Sequence, residues 1–158
     1  MLPKEIYEEL KKEFAADMID FIEAAPGDSF ATINSEKVFD IGLILRDDKR
    51  FQLNYLTLLG SIDAGDKIGI TYHLYSTSLK HDFVMKAFVP LDNPKIDSVE
   101  RVWRAADWHE REAYDMMGII FNNHHDLRRI LCPYDWEGHP LRKNYKEPET
   151  YHGFKVGY

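Results

Sequence analysis

Three runs rich in β-branched and aromatic residues, Phe51 to Ile62, Lys67 to Ser76 and Asp82 to Pro90, follow one another closely. Only Asp63-Ala64-Gly65-Asp66 and the stretch from Ser76 to His81 separate them. Such runs between short polar turns read as strands, and their close succession predicts an antiparallel meander. A sheet with one apolar face must bury that face, so what flanks the meander decides the fold.

Upstream, Pro3 suits a first helical turn, and Ile6, Leu10 and Phe14 recur at four-residue spacing, which predicts a short amphipathic helix over residues 3–15. Met18 to Ala24 and Ser29 to Ile33 read as two short strands around the turn signal Pro26-Gly27-Asp28. Ser35 is placed to cap a helix from Glu36 to about Asp47, and Val38, Phe39, Ile41, Leu43, Ile44 and Leu45 cover most of its circumference. Downstream, Asp97 or Ser98 opens a helix that ends near Met117, with Gly118 as its C-terminal glycine. Val99, Trp103, Ala106, Ala113 and Met117 form its apolar stripe, and Glu110 lies on the same stripe. A carboxylate there has to be shielded and paired with an arginine or with backbone donors. The four-residue pairs Glu100 with Arg104, Asp107 with Arg111, and Arg111 with Asp115 read as ion pairs on the solvated side. The expected fold is α+β: a mixed or antiparallel sheet with helices packed on one face, forming a core over residues 1–118.

Residues 119–158 show little helical or strand periodicity. Irregular segments longer than about 12–15 residues are uncommon inside compact domains. Disorder fits poorly, because the segment keeps Phe121, Tyr134, Trp136, Tyr145, Tyr151, Phe154 and Tyr158 together with Arg128, Arg129 and Arg142. Aromatic residues and Arg are what buried interfaces enrich. The expectation is a C-terminal arm that docks on a partner, anchored by Trp136, Arg128 and Arg142 and dispensable for folding beyond about Pro140.

Charge and cysteine count narrow the chemistry. The net charge of -7 repels phosphate and argues against general nucleic-acid binding. A single cysteine, Cys132, cannot supply the thiolates of an iron–sulfur cluster or a thiolate zinc site, and it points to a reducing compartment. No apolar run approaches the roughly 18 residues that span a bilayer, and the N-terminus has neither the apolar core of a signal peptide nor the acid-poor character of a transit peptide. His109-Glu110 lacks the second histidine of a zinc-protease helix, because Ala113 stands there. His124, His125, Asp126 and His139 offer metal-ligand chemistry, but neighbours in extended chain point to opposite sides, so one metal would rarely use both adjacent histidines. Phosphate-cradling glycine spacings and a serine nucleophile elbow are absent.

The stretch from Trp103 to Tyr145 resembles the signature region of the complex I 30 kDa family, the C-type subunits of NADH:quinone oxidoreductases. That family's pattern is Glu-Arg-Glu, two residues, an acid, two apolar residues, a six-residue gap, then His and a basic-apolar-apolar ending. Here Glu110, Arg111, Glu112, Asp115, Met116, Met117, His124, Arg128, Ile130 and Leu131 meet it. The run from Trp136 to Lys143 resembles a second block, and Tyr72 to Ser76 the central strand. His125 departs from the family's usual Pro, and Asn144 and Lys146 from the Asp and Pro of its usual ending.

The resemblance implies a peripheral-arm subunit on the cytoplasmic face of the cell membrane, touching the membrane only through partners. Those partners would be the large D-type subunit and the cluster-bearing B-type and I-type subunits. It implies no catalytic residue, no metal and no cofactor in this chain, with iron–sulfur clusters, FMN and quinone held by other subunits. Glu110, Arg111, Glu112, Asp115, His124, Arg128, Arg129, Trp136 and Arg142 become the candidate signature and docking residues. Two other readings are an equivalent subunit of a membrane-bound hydrogenase or ferredoxin-dependent quinone reductase, and a stand-alone metal-dependent hydrolase built on the histidines.

Overall fold

The computed structural model describes residues 1–156. Its elements run α1 (Pro3–Glu13), β1 (Met18–Ile22), β2 (Phe30–Ile33), a 3-10 turn (Ser35–Lys37), α2 (Val38–Asp47), β3 (Tyr55–Asp63), β4 (Lys67–Tyr75), β5 (Asp82–Pro90), β6 (Lys95–Asp97), α3 (Ala106–Met117), β7 (Ile120–Asn122), β8 (Thr150–Tyr151) and β9 (Phe154–Lys155). The main sheet has the order β1-β2-β5-β4-β3. Strands β3, β4 and β5 form the antiparallel meander, and β2 joins it parallel to β5. The sheet is therefore mixed.

Alternation along β4 explains which face is covered. Ile68, Ile70, Tyr72 and Leu74 are buried, as are Phe83, Met85, Ala87 and Val89 of β5. They share one core with Ile6 and Leu10 of α1, Val38, Ile41 and Leu45 of α2, and Ala106, Ala113 and Met117 of α3. All three helices thus lie on one side, while Thr71, His73 and Lys86 on the other side stay half-exposed. Trp103 adds a directional tie, since its indole N–H donates to the Leu53 carbonyl at 2.8 Å.

Four expectations change. The residue that caps the turn into α2 is Asn34, not Ser35: its side-chain oxygen accepts the Glu36 amide at 3.1 Å while its amide group donates to Asp17. The first strand of the meander begins at Tyr55 rather than Phe51. Phe51 and Leu53 are fully buried, but Gln52 has a φ of 46°, and the Leu53 amide donates to the Leu45 carbonyl, so apolar character there reflects burial under α2 rather than strand pairing.

The helix expected from Asp97 or Ser98 begins only at Ala106, and Lys95–Asp97 is a strand parallel to β7. The Ser98 amide donates to the Asn122 carbonyl, and the Val99 amide goes to the Glu110 carboxylate. Both donors are spent outside a helix, although the buried turn residues Val102 and Trp103 mimic helical spacing.

The boundary at Gly118 also moves. Gly118 is the left-handed C-terminal residue of α3, with a φ of 70°. Ile119 and Phe121, just beyond it, belong to the core. Leu141 donates to the Met116 carbonyl and Lys143 to the Asp63 carboxylate, so the chain beyond Pro140 still fastens to α3 and β3. The short β8–β9 hairpin follows.

A candidate signature site of two buried carboxylates

Glu110 sits one helical turn before Ala113 on the inward side of α3 and is 0% exposed. Its two oxygens meet the Ser98 hydroxyl at 2.5 Å and the Val99 amide at 2.7 Å. Burial pushes the carboxyl up to about 8, against the pull of the Ser98 and Val99 donors and with the charges of Glu100 and Asp107 adding to the rise. The Ser98 hydroxyl donates to the Glu110 carboxyl, and its oxygen accepts the Glu100 amide. The hydrogen-bonded Glu110 thereby joins α3 to the segment leaving β6. Glu110→Gln keeps an acceptor and a donor and should change stability by less than about 1 kcal/mol, whereas Glu110→Ala orphans the Val99 amide and opens a cavity, at about 2–4 kcal/mol. Equilibrium urea unfolding of both variants checks the contrast, and equal losses would contradict it.

Asp115 is the second centre. It is also 0% exposed and takes three consecutive amides, those of Ile130, Leu131 and Cys132, at 2.7–3.0 Å. Arg129 adds a charge-assisted bond at 2.6 Å and reaches on to the Gly138 carbonyl. Burial pushes the Asp115 carboxyl up, but the Cys132, Leu131 and Ile130 amides and the Arg129 guanidinium outweigh it and hold the group below its ordinary value. Around the same helix end, the His139 ring bonds the Asp115 carbonyl and Arg142 donates to the Met117 carbonyl at 2.7 Å. A β-carbon on Gly118 would meet the His139 ring at 2.5 Å, so only glycine lets this loop close on α3.

The four-residue pairs expected along this helix do not form. Glu100 lies outside the helix, buried and bonded to His125, and Asp107 faces His124. Arg111 donates to the carbonyls of Arg128 and Arg129 rather than to Asp107 or Asp115, and it stacks near Trp108. Spacing alone puts Asp115 on the wet side, but its true partners begin at Arg129, in a loop beyond any helical pattern. Arg142 is likewise an internal tie, not a free anchor, while Arg128 and Glu112 remain exposed. Trp136 is half-buried, with its indole N–H on the Tyr145 hydroxyl at 3.0 Å and its ring against Tyr151. His124 and His125 do share a side: their rings stack 5.3 Å apart at 9°, because Asn123 before them turns the chain with a φ of 64°. His139 is elsewhere, at the end of α3.

The model of the respiratory-chain NADH dehydrogenase 30 kDa subunit family matches residues 31–151. This chain belongs to that family. It is 42% identical to the C-type subunit of the NADH-quinone oxidoreductase of Chloroherpeton thalassium over 99% of this chain and 66% of that protein. It is 44% identical to the corresponding subunit of Chlorobium phaeobacteroides over 96% of this chain and 93% of that one. Among solved structures, the trypsin-resistant fragment of Nqo5 has the same fold, with a TM-score of 0.64 at 22% identity, covering 77% of this chain and 99% of the fragment. A chain of the membrane-bound sulfane sulfur reductase, an archaeal respiratory membrane complex, gives 0.67 at 21% identity, over 90% of this chain and 85% of that one.

The region that the 30 kDa model matches runs from β2 to β8, so it includes both buried carboxylates and the loop that Asp115 gathers. No helix among the described residues is long and apolar enough to cross a membrane.

Proposed function

We propose that this chain is a non-catalytic peripheral-arm subunit of a proton-translocating NADH:quinone oxidoreductase, and that its work is to hold other subunits in register. The observation that carries this reading is how the chain spends its reactive groups. Glu110 and Asp115 are consumed by internal donors, and burial beside Asp115 pushes the Cys132 thiol up, away from the reactive thiolate. Apolar groups are exposed on the arm, at Leu131, Tyr134, Leu141 and Phe154, and also on the sheet and α3, at Tyr55, Leu58, Ile62 and Trp108. A chain that ties its signature carboxylates to internal donors and displays apolar side chains is suited to binding protein.

In this reading the large D-type subunit and the cluster-bearing B-type and I-type subunits are the neighbours, on the cytoplasmic side of the membrane, and clusters, FMN and quinone lie in other chains. One alternative has a specific support: the fold shared with a subunit of the sulfane sulfur reductase complex fits an equivalent place in a related membrane assembly fed by another electron donor, a hydrogenase or a ferredoxin-dependent quinone reductase among them. Purified alone, the chain should be colourless and should not oxidise NADH or reduce a quinone. A visible absorption band from a bound cluster or flavin, or turnover of either substrate, would overturn the proposal.

A further inference from the structure

Where the arm leaves β7, four side chains converge beside the Glu110 centre, with His124 Nε2 3.9 Å from Glu110 Oε2. Ligand atoms of Glu100, Asp107, His124 and His125 all lie within 4.8 Å of one another. The His125 ring spans the two acids: its Nδ1 is 2.5 Å from Glu100 Oε2 and its Nε2 is 3.9 Å from Asp107 Oδ2. His124 Nε2 is 3.7 Å from the same Glu100 oxygen and 3.5 Å from Asp107 Oδ1. Glu100 is buried, and the ion-pair partners of both acids among the described residues are these imidazoles alone, with no Lys or Arg. Two carboxylates facing inward on imidazole, without a permanent cation, form an electron-rich site.

We propose that Glu100, Asp107 and His125 bind one divalent transition-metal ion of the zinc class. Bonds of about 2.0–2.2 Å place tetrahedral ligand atoms roughly 3.4 Å apart, so the present spread of up to 4.8 Å needs to close by about 1.4 Å. His125 has the freedom to do this, since its side chain is 51% exposed. His124 is a positioning residue rather than a ligand. Its Nδ1 accepts the Asp126 amide at 3.0 Å, which leaves an N–H on Nε2, and that N–H donates to the Asp107 backbone carbonyl at 3.2 Å. An imidazole N–H on the backbone of a ligating residue fixes where that residue presents its carboxylate. Metal entry at His125 Nδ1 displaces the hydrogen from that nitrogen, and the neutral ring then carries its one N–H on Nε2. The bound ion would clasp the base of the arm to the start of α3. Imidazole with carboxylate favours zinc or cobalt over magnesium, which keeps its water and prefers oxygen.

The test uses the full-length chain freed of any affinity tag and stripped by chelator, titrated with Zn2+ by calorimetry and with Co2+ by visible absorption. One Zn2+ per chain should bind, and Mg2+ should not compete. His125→Ala should weaken Zn2+ binding at least a hundredfold and abolish the Co2+ band. Asp107→Asn should weaken it at least tenfold. His124→Gln should lower affinity about tenfold while keeping the Co2+ band shape, as a positioning residue does. Unchanged melting of metal-free His125→Ala shows that a loss of binding is not a loss of fold. No binding by the parent chain, or equal binding by parent and His125→Ala, would overturn the proposal. Neither result bears on the docking role, which co-purification tests separately.

Discussion

Asp115→Ala should cost about 3–5 kcal/mol, the scale for removing one partner of a buried ion pair, and should lower the melting temperature by roughly 10 °C. Arg129 then keeps a charge that is mostly out of water, and three amides in a row lose their acceptor. Neighbouring ties go with them, because His139, Leu141 and Arg142 bond the carbonyls of Asp115, Met116 and Met117. The pH dependence has a definite sign. A carboxyl held below its unfolded value of about 3.9 contributes its stability above that pH and loses it as the pH falls through the lower folded value. The acid limb of the stability curve should therefore flatten in Asp115→Asn, which cannot titrate. Urea unfolding between pH 3 and 7 measures both effects, and a parent and variant with parallel acid limbs would show that Asp115 is not the group responsible.

The second large effect concerns binding rather than folding. Tyr134 is 91% exposed, and the Arg128 side chain is 72% exposed, with Asp126 its side-chain partner among the described residues. Replacing either by Ala removes nothing that the core needs, so melting should be unchanged. If the arm docks as proposed, each truncation should cost more than about 2 kcal/mol of partner affinity, about thirtyfold. Removal of everything after Pro140 is a different experiment from the one the sequence suggests, because it also deletes Arg142 and the Lys143 amide that caps Asp63. That truncation should melt early. Deletion after Lys146 spares those ties and removes only the hairpin that Asp135 holds through Tyr151 and His152. Stability close to the parent's after deletion at 140 would show that these ties do not hold the core.

Local patterns carried the sheet and much of the helix layer. The three strand runs, the spacing of Ile6 and Leu10, and Gly118 as the end of α3 were all legible, because each rests on interactions within a few residues. Glu110 was legible for the same reason: its place on an apolar stripe demanded burial and a donor. Asp115 was not, since its donors arrive from residues 129–132 through a loop with no periodicity. The start of α3 failed because Val99, Val102 and Trp103 are buried in a turn that imitates helical spacing. The stacked histidines failed on an assumption of extended chain, which the positive φ of Asn123 breaks. The family motif marked Glu110 and Asp115 together without indicating that one is held by Ser98 and Val99 and the other by the arm.

The docking role is tested most directly by affinity purification of the full-length chain from its native membranes after gentle detergent extraction, with the co-purifying proteins identified. The chain should come out in a single assembly with cluster-bearing subunits and quinone reductase activity, and the Tyr134→Ala and Arg128→Ala forms should recover less of it. Recovery of the chain alone, or with proteins that carry no redox centre, would contradict the account.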